Sequence, residues 1–130
     1  MQVRIATSLD SDELLLVSSK SFLEHFDQQD FACRDQQLVV PAYLQAWFES
    51  SKSPPPTFMV PAVQFIAGRT QFISGRHRIA VLLPHLSVLP IAFTAMNSPP
   101  PEFRARLALV PAANGTLFEL PDLPIRERLP

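Results

Sequence analysis

Residues 71–83 read QFISGRHRIAVLL, and this stretch decides the expected fold. Its first residues are typical of a short strand, Ser74 and Gly75 indicate a turn, and a helix is expected from Arg76 onward. Apolar side chains then recur at helical spacing and give the helix one buried face. That face consists of Ile79, Leu82, Leu83 and Leu86. The stretch therefore predicts a strand–turn–helix unit.

Three basic residues open this predicted helix directly after a glycine. The first turn of a helix has backbone N–H groups without intrahelical partners, and the helix dipole makes that end electropositive. Cations are disfavoured there unless an anion joins them, and a glycine lets a ligand approach the backbone closely. The pattern predicts an anion site formed by Ser74, Gly75, Arg76, His77 and Arg78. The alternative is a solvated helix start, or an arginine that pairs with a neighbouring carboxylate.

The same motif resembles the signature of a known superfamily. Gly75-Arg76-His77-Arg78, followed by Ile79, is similar to the motif of the ParB/sulfiredoxin superfamily. ParB partition proteins carry a Gly-x-Arg-Arg form of it, and sulfiredoxins carry Gly-Cys-His-Arg. The resemblance extends over residues 38–94.

The predicted strands and helices indicate a fold of the α+β class, with a small mixed sheet and helices packed against it, and the resemblance implies the same. Residues 1–130 would form a single ParB/sulfiredoxin-like domain, with a Pro-rich C-terminal extension from about residue 97. A helix is expected over residues 40–49, where Pro41 suits a first helical position. A strand is expected to lead into the motif over residues 59–66, and a closing strand over residues 88–93.

The resemblance also implies a phosphate-handling function. Gly75 would allow close approach, Arg76 and Arg78 would clamp phosphate oxygens, and His77 would contact phosphate or move a proton as the catalytic residue. The ligand would be ATP, another nucleotide or a nucleic-acid phosphate, with Mg²⁺ as an accompanying ion and ATPase or DNase activity as the chemistry. Arg76 stands where sulfiredoxins have their catalytic cysteine, so sulfinic-acid reduction is not expected.

A second functional class stays open, because the chain departs from the family pattern. Tyr43 and Ala46 stand where sulfiredoxins have a Lys and a Ser that contact ATP, and Ser74 stands where many members have Asp. Plasmid-borne fertility-inhibition proteins resemble this fold as single domains. The alternative is therefore a non-catalytic effector whose partner is a protein, or DNA, of a DNA-transfer system.

Composition limits the choice of partners. The formal net charge is −1, but residues 1–65 carry 4 basic and 8 acidic side chains, whereas residues 66–130 carry 7 arginines and 4 acidic side chains. Arginine favours forked contacts to phosphate, and the small overall charge favours a local anion site over a general nucleic-acid surface. No apolar run is long enough for membrane insertion, and the lone cysteine favours a cytoplasmic location.

Other candidate residues have simpler explanations. The acidic loop with Asp27, Asp30 and Asp35 could hold Mg²⁺ with a nucleotide, although such loops are usually only solvated. Cys33 in that loop lacks an activating base and is interpreted as a bystander. His25 is interpreted as a helix-face residue between core phenylalanines. No His and Cys spacing typical of a zinc site is present.

The remaining elements are expected from local patterns. Ser18 or Ser19 would cap a short helix, and residues 103–110 are consistent with either helix or strand. The last ten residues are expected to run extended across the surface and to add little to stability. Strands are expected over residues 13–17, 60–66, 70–73, 89–95 and 116–120.

Overall fold

A computed structural model describes residues 1–26, 41–49, 54–107 and 110–127 of the chain. Within these ranges there are three α-helices, one 3-10 helix and eleven strands. The helices are α1 (Ser19–His25), α2 (Arg76–Leu82), α3 (Pro101–Leu107) and the 3-10 turn Gln45–Trp47. The strands are β1 (Gln2–Ala6), β2 (Glu13–Ser18), β3 (Tyr43–Leu44), β4 (Phe48–Glu49), β5 (Thr57–Met59), β6 (Ala62–Ile66), β7 (Arg69–Ser74), β8 (Val88–Phe93), β9 (Val110–Pro111), β10 (Thr116–Glu119) and β11 (Ile125–Arg126).

The largest sheet has five strands in the order β7-β6-β8-β2-β9. β6 runs parallel to β8, whereas β7 and β2 run antiparallel to their neighbours. Phe22 of α1 and its C-cap residue Phe26 pack their rings against Phe72 of β7, and Phe26 also contacts Phe93 of β8. Phe103 of α3 packs against a ring of β6 on the same face. Helices α1 and α3 therefore cover one face of this sheet.

A second sheet has the strand order β10-β1-β5-β4. Val3 and Ile5 of β1 are fully buried and alternate with more exposed residues, as expected for a strand with one face toward the core. β1 lies between antiparallel β10 and parallel β5. The sequence analysis did not identify this strand, because two apolar residues at alternate positions are a weak signal.

Both sheets and all three helices contribute to one hydrophobic core. Its largest fully buried side chains are Tyr43, Phe22, Phe58, Phe93, Ile5, Leu15, Ile79, Leu82, Leu89, Ile91, Leu107 and Leu120. The expected α+β class is confirmed, but the described residues form three sheets where a single one was expected. The third consists of β3 and β11 alone.

Several local predictions are confirmed. β2 occupies the predicted strand, and the Ser18 hydroxyl caps α1 by accepting a hydrogen bond from the Ser21 amide at 3.1 Å. β6 and β7 form the predicted hairpin, which turns at Gly68. β8 and β10 match the strands expected near residues 89–95 and 116–120. Of the segment 103–110, residues 103–107 lie in α3, whereas Val110 begins β9.

The helix expected over residues 40–49 is wrong within the described part of that segment. Tyr43 lies in β3 and donates its backbone N–H to the carbonyl of Pro124 at 2.8 Å. Phe48 lies in β4 opposite Phe58 of β5, with ring centroids 5.4 Å apart. Only the 3-10 turn between these strands is helical. Aromatic residues fit strands well, and the pairing partners from distant segments decide the local conformation.

The C-terminal segment makes hydrogen bonds to the N-terminus and to β3. The Tyr43 hydroxyl donates to the Pro121 carbonyl at 2.5 Å, and the N-terminal ammonium of Met1 lies 2.7 Å from an Asp122 carboxylate oxygen. Ile125 and Arg126 form β11, which pairs with β3. Residues 121–126 therefore contact the N-terminus and β3, and the small contribution to stability expected for residues 121–130 stays a prediction.

Candidate anion site at the start of helix α2

The predicted strand–turn–helix unit is present. β7 ends at Ser74, Gly75 is the N-cap residue, and α2 begins at Arg76. Gly75 has φ 97° and ψ 21°, a left-handed conformation that L side chains rarely adopt. A Cβ at this position would lie 2.7 Å from both Cα and Cβ of Pro61. The glycine therefore lets the chain's own β5–β6 connection pack tightly against the turn.

Arg78 points toward that connection. Its Nη1 donates to the carbonyl oxygen of Met59 at 2.6 Å and lies 3.5 Å from that of Val60, while Nη2 lies 3.4 Å from Ser74 Oγ. Burial lowers the pKa of the Arg78 guanidinium, and its Nε is buried without a partner among the described residues. In this structure the guanidinium ties α2 to the end of β5. The sequence analysis expected Arg78 to bind phosphate oxygens, whereas here its guanidinium donates to a backbone carbonyl.

Arg76 and His77 have exposed side chains, as does Ser74 at the end of β7. Gly75 has no side chain that could cap the helix, and no acidic residue occupies the first turn of α2. The N-cap position therefore supplies no side-chain acceptor for the backbone N–H groups of this turn. The exposed turn contains Ser74, Gly75, Arg76 and His77. The Arg78 side chain is directed away from it, toward the Met59 carbonyl.

The other candidate residues do not join this turn. His25 ends α1, with Nε2 3.8 Å from Glu24 Oε2 and its ring edge-on to Phe103 at 6.2 Å. Phe22 and Phe26 beside it are buried, as the helix-face interpretation requires. Cys33 and the three aspartates of the acidic loop lie outside the described residues.

Metal-binding clusters and membrane helices are absent from the part of the chain that the structure describes. In residues 1–26, 41–49, 54–107 and 110–127, no three His, Cys, Asp or Glu residues lie close enough to hold a metal ion. No helix within the same ranges has the length and apolar character that a membrane span requires.

The sequence analysis missed a cleft of about 300 Å³ beside the end of β7. Its walls come from three separate segments: the turn between β1 and β2, the centre of the β6–β7 hairpin and the residues after β8. Asp12 and Thr94 are among its polar lining residues. No local sequence pattern links these segments, so only the tertiary structure reveals the cleft.

Comparisons of this chain with protein-family models, with curated proteins and with solved structures found no match.

Proposed function

We propose that the protein binds a phosphate-containing anion at the turn formed by Ser74, Gly75, Arg76 and His77. One observation carries the proposal. The first turn of α2 has no side-chain cap and no acidic residue, while it presents two exposed basic side chains. A phosphate would accept hydrogen bonds from backbone amides of this turn and from the Arg76 guanidinium at the same time. It would also offset the cost of placing cations at a helix N-terminus.

The roles within the motif differ from residue to residue. Arg76 is the group that contacts phosphate oxygens, and His77 is placed to contact the phosphate or to move a proton to it. Arg78 stabilises the turn by donating a hydrogen bond to the Met59 carbonyl oxygen. An ATP phosphate, with Mg²⁺ bound to it, and a nucleic-acid phosphate offer the same chemistry. ATPase or DNase activity is the function that the ParB/sulfiredoxin resemblance adds to anion binding.

Titration of the ¹⁵N-labelled protein with inorganic phosphate and with ATP, with and without Mg²⁺, tests the proposal. We expect amide shifts centred on residues 74–78, and Arg76→Ala should weaken binding by about tenfold or more, as for a charge-assisted hydrogen bond. Arg69→Ala removes the same charge at the opposite end of β7 and serves as the matched control. Equal weakening by both variants, or no binding of phosphate or ATP, would reject the site.

The fertility-inhibition alternative requires a surface for a protein partner. A free C-terminal segment would have been the natural candidate for such a contact. Leu107 and Leu120 are instead buried in the core, and β11 pairs with β3. The described part of the tail packs on the domain, so it does not supply a separate partner-binding segment for this alternative.

A further inference from the structure

The turn that leads into β10 contains one of the chain's two asparagines, and a glycine follows it directly. The Thr116 amide donates to the Ala113 carbonyl at 3.1 Å, which closes a β-turn around these two residues. Asn114 and Gly115 are exposed, and an added Cβ at the glycine would meet nothing within 4 Å. Asparagine is thermally labile because the main-chain nitrogen of the next residue can attack its side-chain amide carbon. A glycine offers that nitrogen without hindrance from a side chain.

In the folded protein both reacting groups are held by the end of β1. The Gly115 amide donates to the Ile5 carbonyl at 2.8 Å. The Asn114 carboxamide contacts Thr7 twice, since Oδ1 accepts from the Thr7 amide at 3.0 Å and Nδ2 donates to Thr7 Oγ1 at 3.3 Å. Thr7 is buried, and its hydroxyl donates to the Leu9 carbonyl at 2.8 Å. The attacking nitrogen and the amide carbon are therefore each fixed to the β1 segment.

We infer that Asn114 is a site of spontaneous covalent modification, and that its contacts with the β1 segment control the reaction. When this end of β10 separates from β1, the Gly115 nitrogen loses its proton to solvent and forms a bond to Cγ of Asn114. The bond between Cγ and Nδ2 breaks, the departing nitrogen takes up a proton from solvent, and ammonia leaves a cyclic succinimide behind. Water then adds to either ring carbonyl and opens the ring, which gives aspartate or isoaspartate at position 114.

The hydrogen bond to Ile5 is the reason that the attack requires opening. The Gly115 N–H is directed at a carbonyl of β1, so its nitrogen cannot lose the proton and approach Cγ while this bond is intact. Strand ends open at a lower free energy than the centre of a sheet, and local opening is therefore sufficient for the reaction.

The product cannot restore the original contacts. A carboxylate at position 114 has no N–H to donate to Thr7 Oγ1, which Asn114 Nδ2 contacts in this structure. An isoaspartate also lengthens the main chain inside the turn that pairs β10 with β1. The modification therefore weakens the same pairing whose opening it requires.

The test is incubation of the protein at mildly alkaline pH, in native buffer and in guanidinium chloride, followed by peptide mass spectrometry. We expect Asn114 to convert to aspartate and isoaspartate at least about tenfold more slowly in native buffer, because opening must precede the attack. Asn97 is the control within the same chain, since Ser98 follows it in place of a glycine, and it should react more slowly than Asn114 in denaturant. Equal rates at Asn114 in both solutions, or equal rates at both asparagines in denaturant, would overturn the inference.

Three variants separate the steps. Thr7→Val removes the hydroxyl that accepts from Asn114 Nδ2, so it should speed the reaction in native buffer and leave the rate in denaturant unchanged. Thr94→Val makes the same change directly after β8, and it should alter neither rate. Gly115→Ala adds a side chain beside the attacking nitrogen and should slow the reaction in denaturant. Equal native rates in Thr7→Val and Thr94→Val would reject control by the β1 segment, and an unchanged rate of Gly115→Ala in denaturant would reject attack by the Gly115 nitrogen.

Discussion

Gly75→Ala should destabilise the protein more than the same change at any other described glycine. Gly75, Gly68 and Gly115 all have positive φ, at 97°, 77° and 92°. An added Cβ meets nothing within 4 Å at Gly68 or Gly115, but at Gly75 it would lie 2.7 Å from Pro61 Cα and Cβ. The three positions thus share a conformational cost, and only Gly75 adds a steric one.

The magnitudes follow from these two terms. A left-handed conformation costs an L residue about 1–2 kcal/mol, which applies at all three positions. Carbon atoms normally approach to about 3.5–4.0 Å, so the contact with Pro61 requires a shift of backbone atoms. Forcing an extra carbon into such a contact costs about 1–3 kcal/mol. We expect a loss of about 1–2 kcal/mol for Gly115→Ala and about 2–5 kcal/mol for Gly75→Ala.

Equilibrium unfolding in urea, followed by circular dichroism, gives the free energy of unfolding of each variant. Every Gly→Ala change also lowers the conformational entropy of the unfolded chain, which stabilises the folded state by a similar amount. This contribution to the free energy of unfolding therefore cancels when the variants are compared. Gly115→Ala is the closer control, since its φ is nearly that of Gly75. Equal losses for Gly75→Ala and Gly115→Ala would show that the Pro61 contact contributes nothing.

Two further predictions concern buried polar side chains. Arg78→Met keeps an unbranched apolar side chain but removes the hydrogen bond to the Met59 carbonyl. It should lower the free energy of unfolding, measured in urea, by about 1.5–3 kcal/mol. An unchanged free energy of unfolding would contradict the structural role of the guanidinium. Burial and, less strongly, Asp122 raise the pKa of Tyr43 to about 12, above its ordinary value of 10.0. The folded state therefore keeps a proton that the unfolded chain loses, so this contribution to stability is complete below pH 10 and is lost as pH rises toward 12. Because the chain has one tyrosine, phenolate absorbance reports it directly, and a midpoint near pH 10 in folded protein would contradict the prediction.

Local signals predicted the elements whose determinants lie close together in the chain. Ser18 caps α1 through the amide three residues later, and the β6–β7 hairpin turns at a glycine between two apolar runs. The predicted helix from Pro41 failed for the opposite reason. Tyr43 is held by Pro121 and Pro124, which lie far along the sequence and contributed nothing to the local pattern.

The candidate anion site also combines features set by neighbouring residues with features set by contacts between distant segments. Its residues are consecutive, so their convergence at one turn followed from the sequence. The sequence analysis explained Gly75 by the approach of a ligand, whereas the structure places Pro61 against it. The direction of Arg78 did not, because it depends on the carbonyl of Met59 in a different strand. The sequence therefore identified where basic side chains gather, but it could not divide them into exposed and structural groups.

By itself the sequence determined the α+β class, the turn at Gly75 and the amphipathic helix that follows it, because each depends on periodicity and backbone preference within a few residues. Only the tertiary structure decided that the chain divides into separate sheets, that the tail closes against Tyr43 and that Asp12 and Thr94 share a cleft. These features arise from contacts between segments distant in sequence, and such contacts form only when the whole core is buried at once.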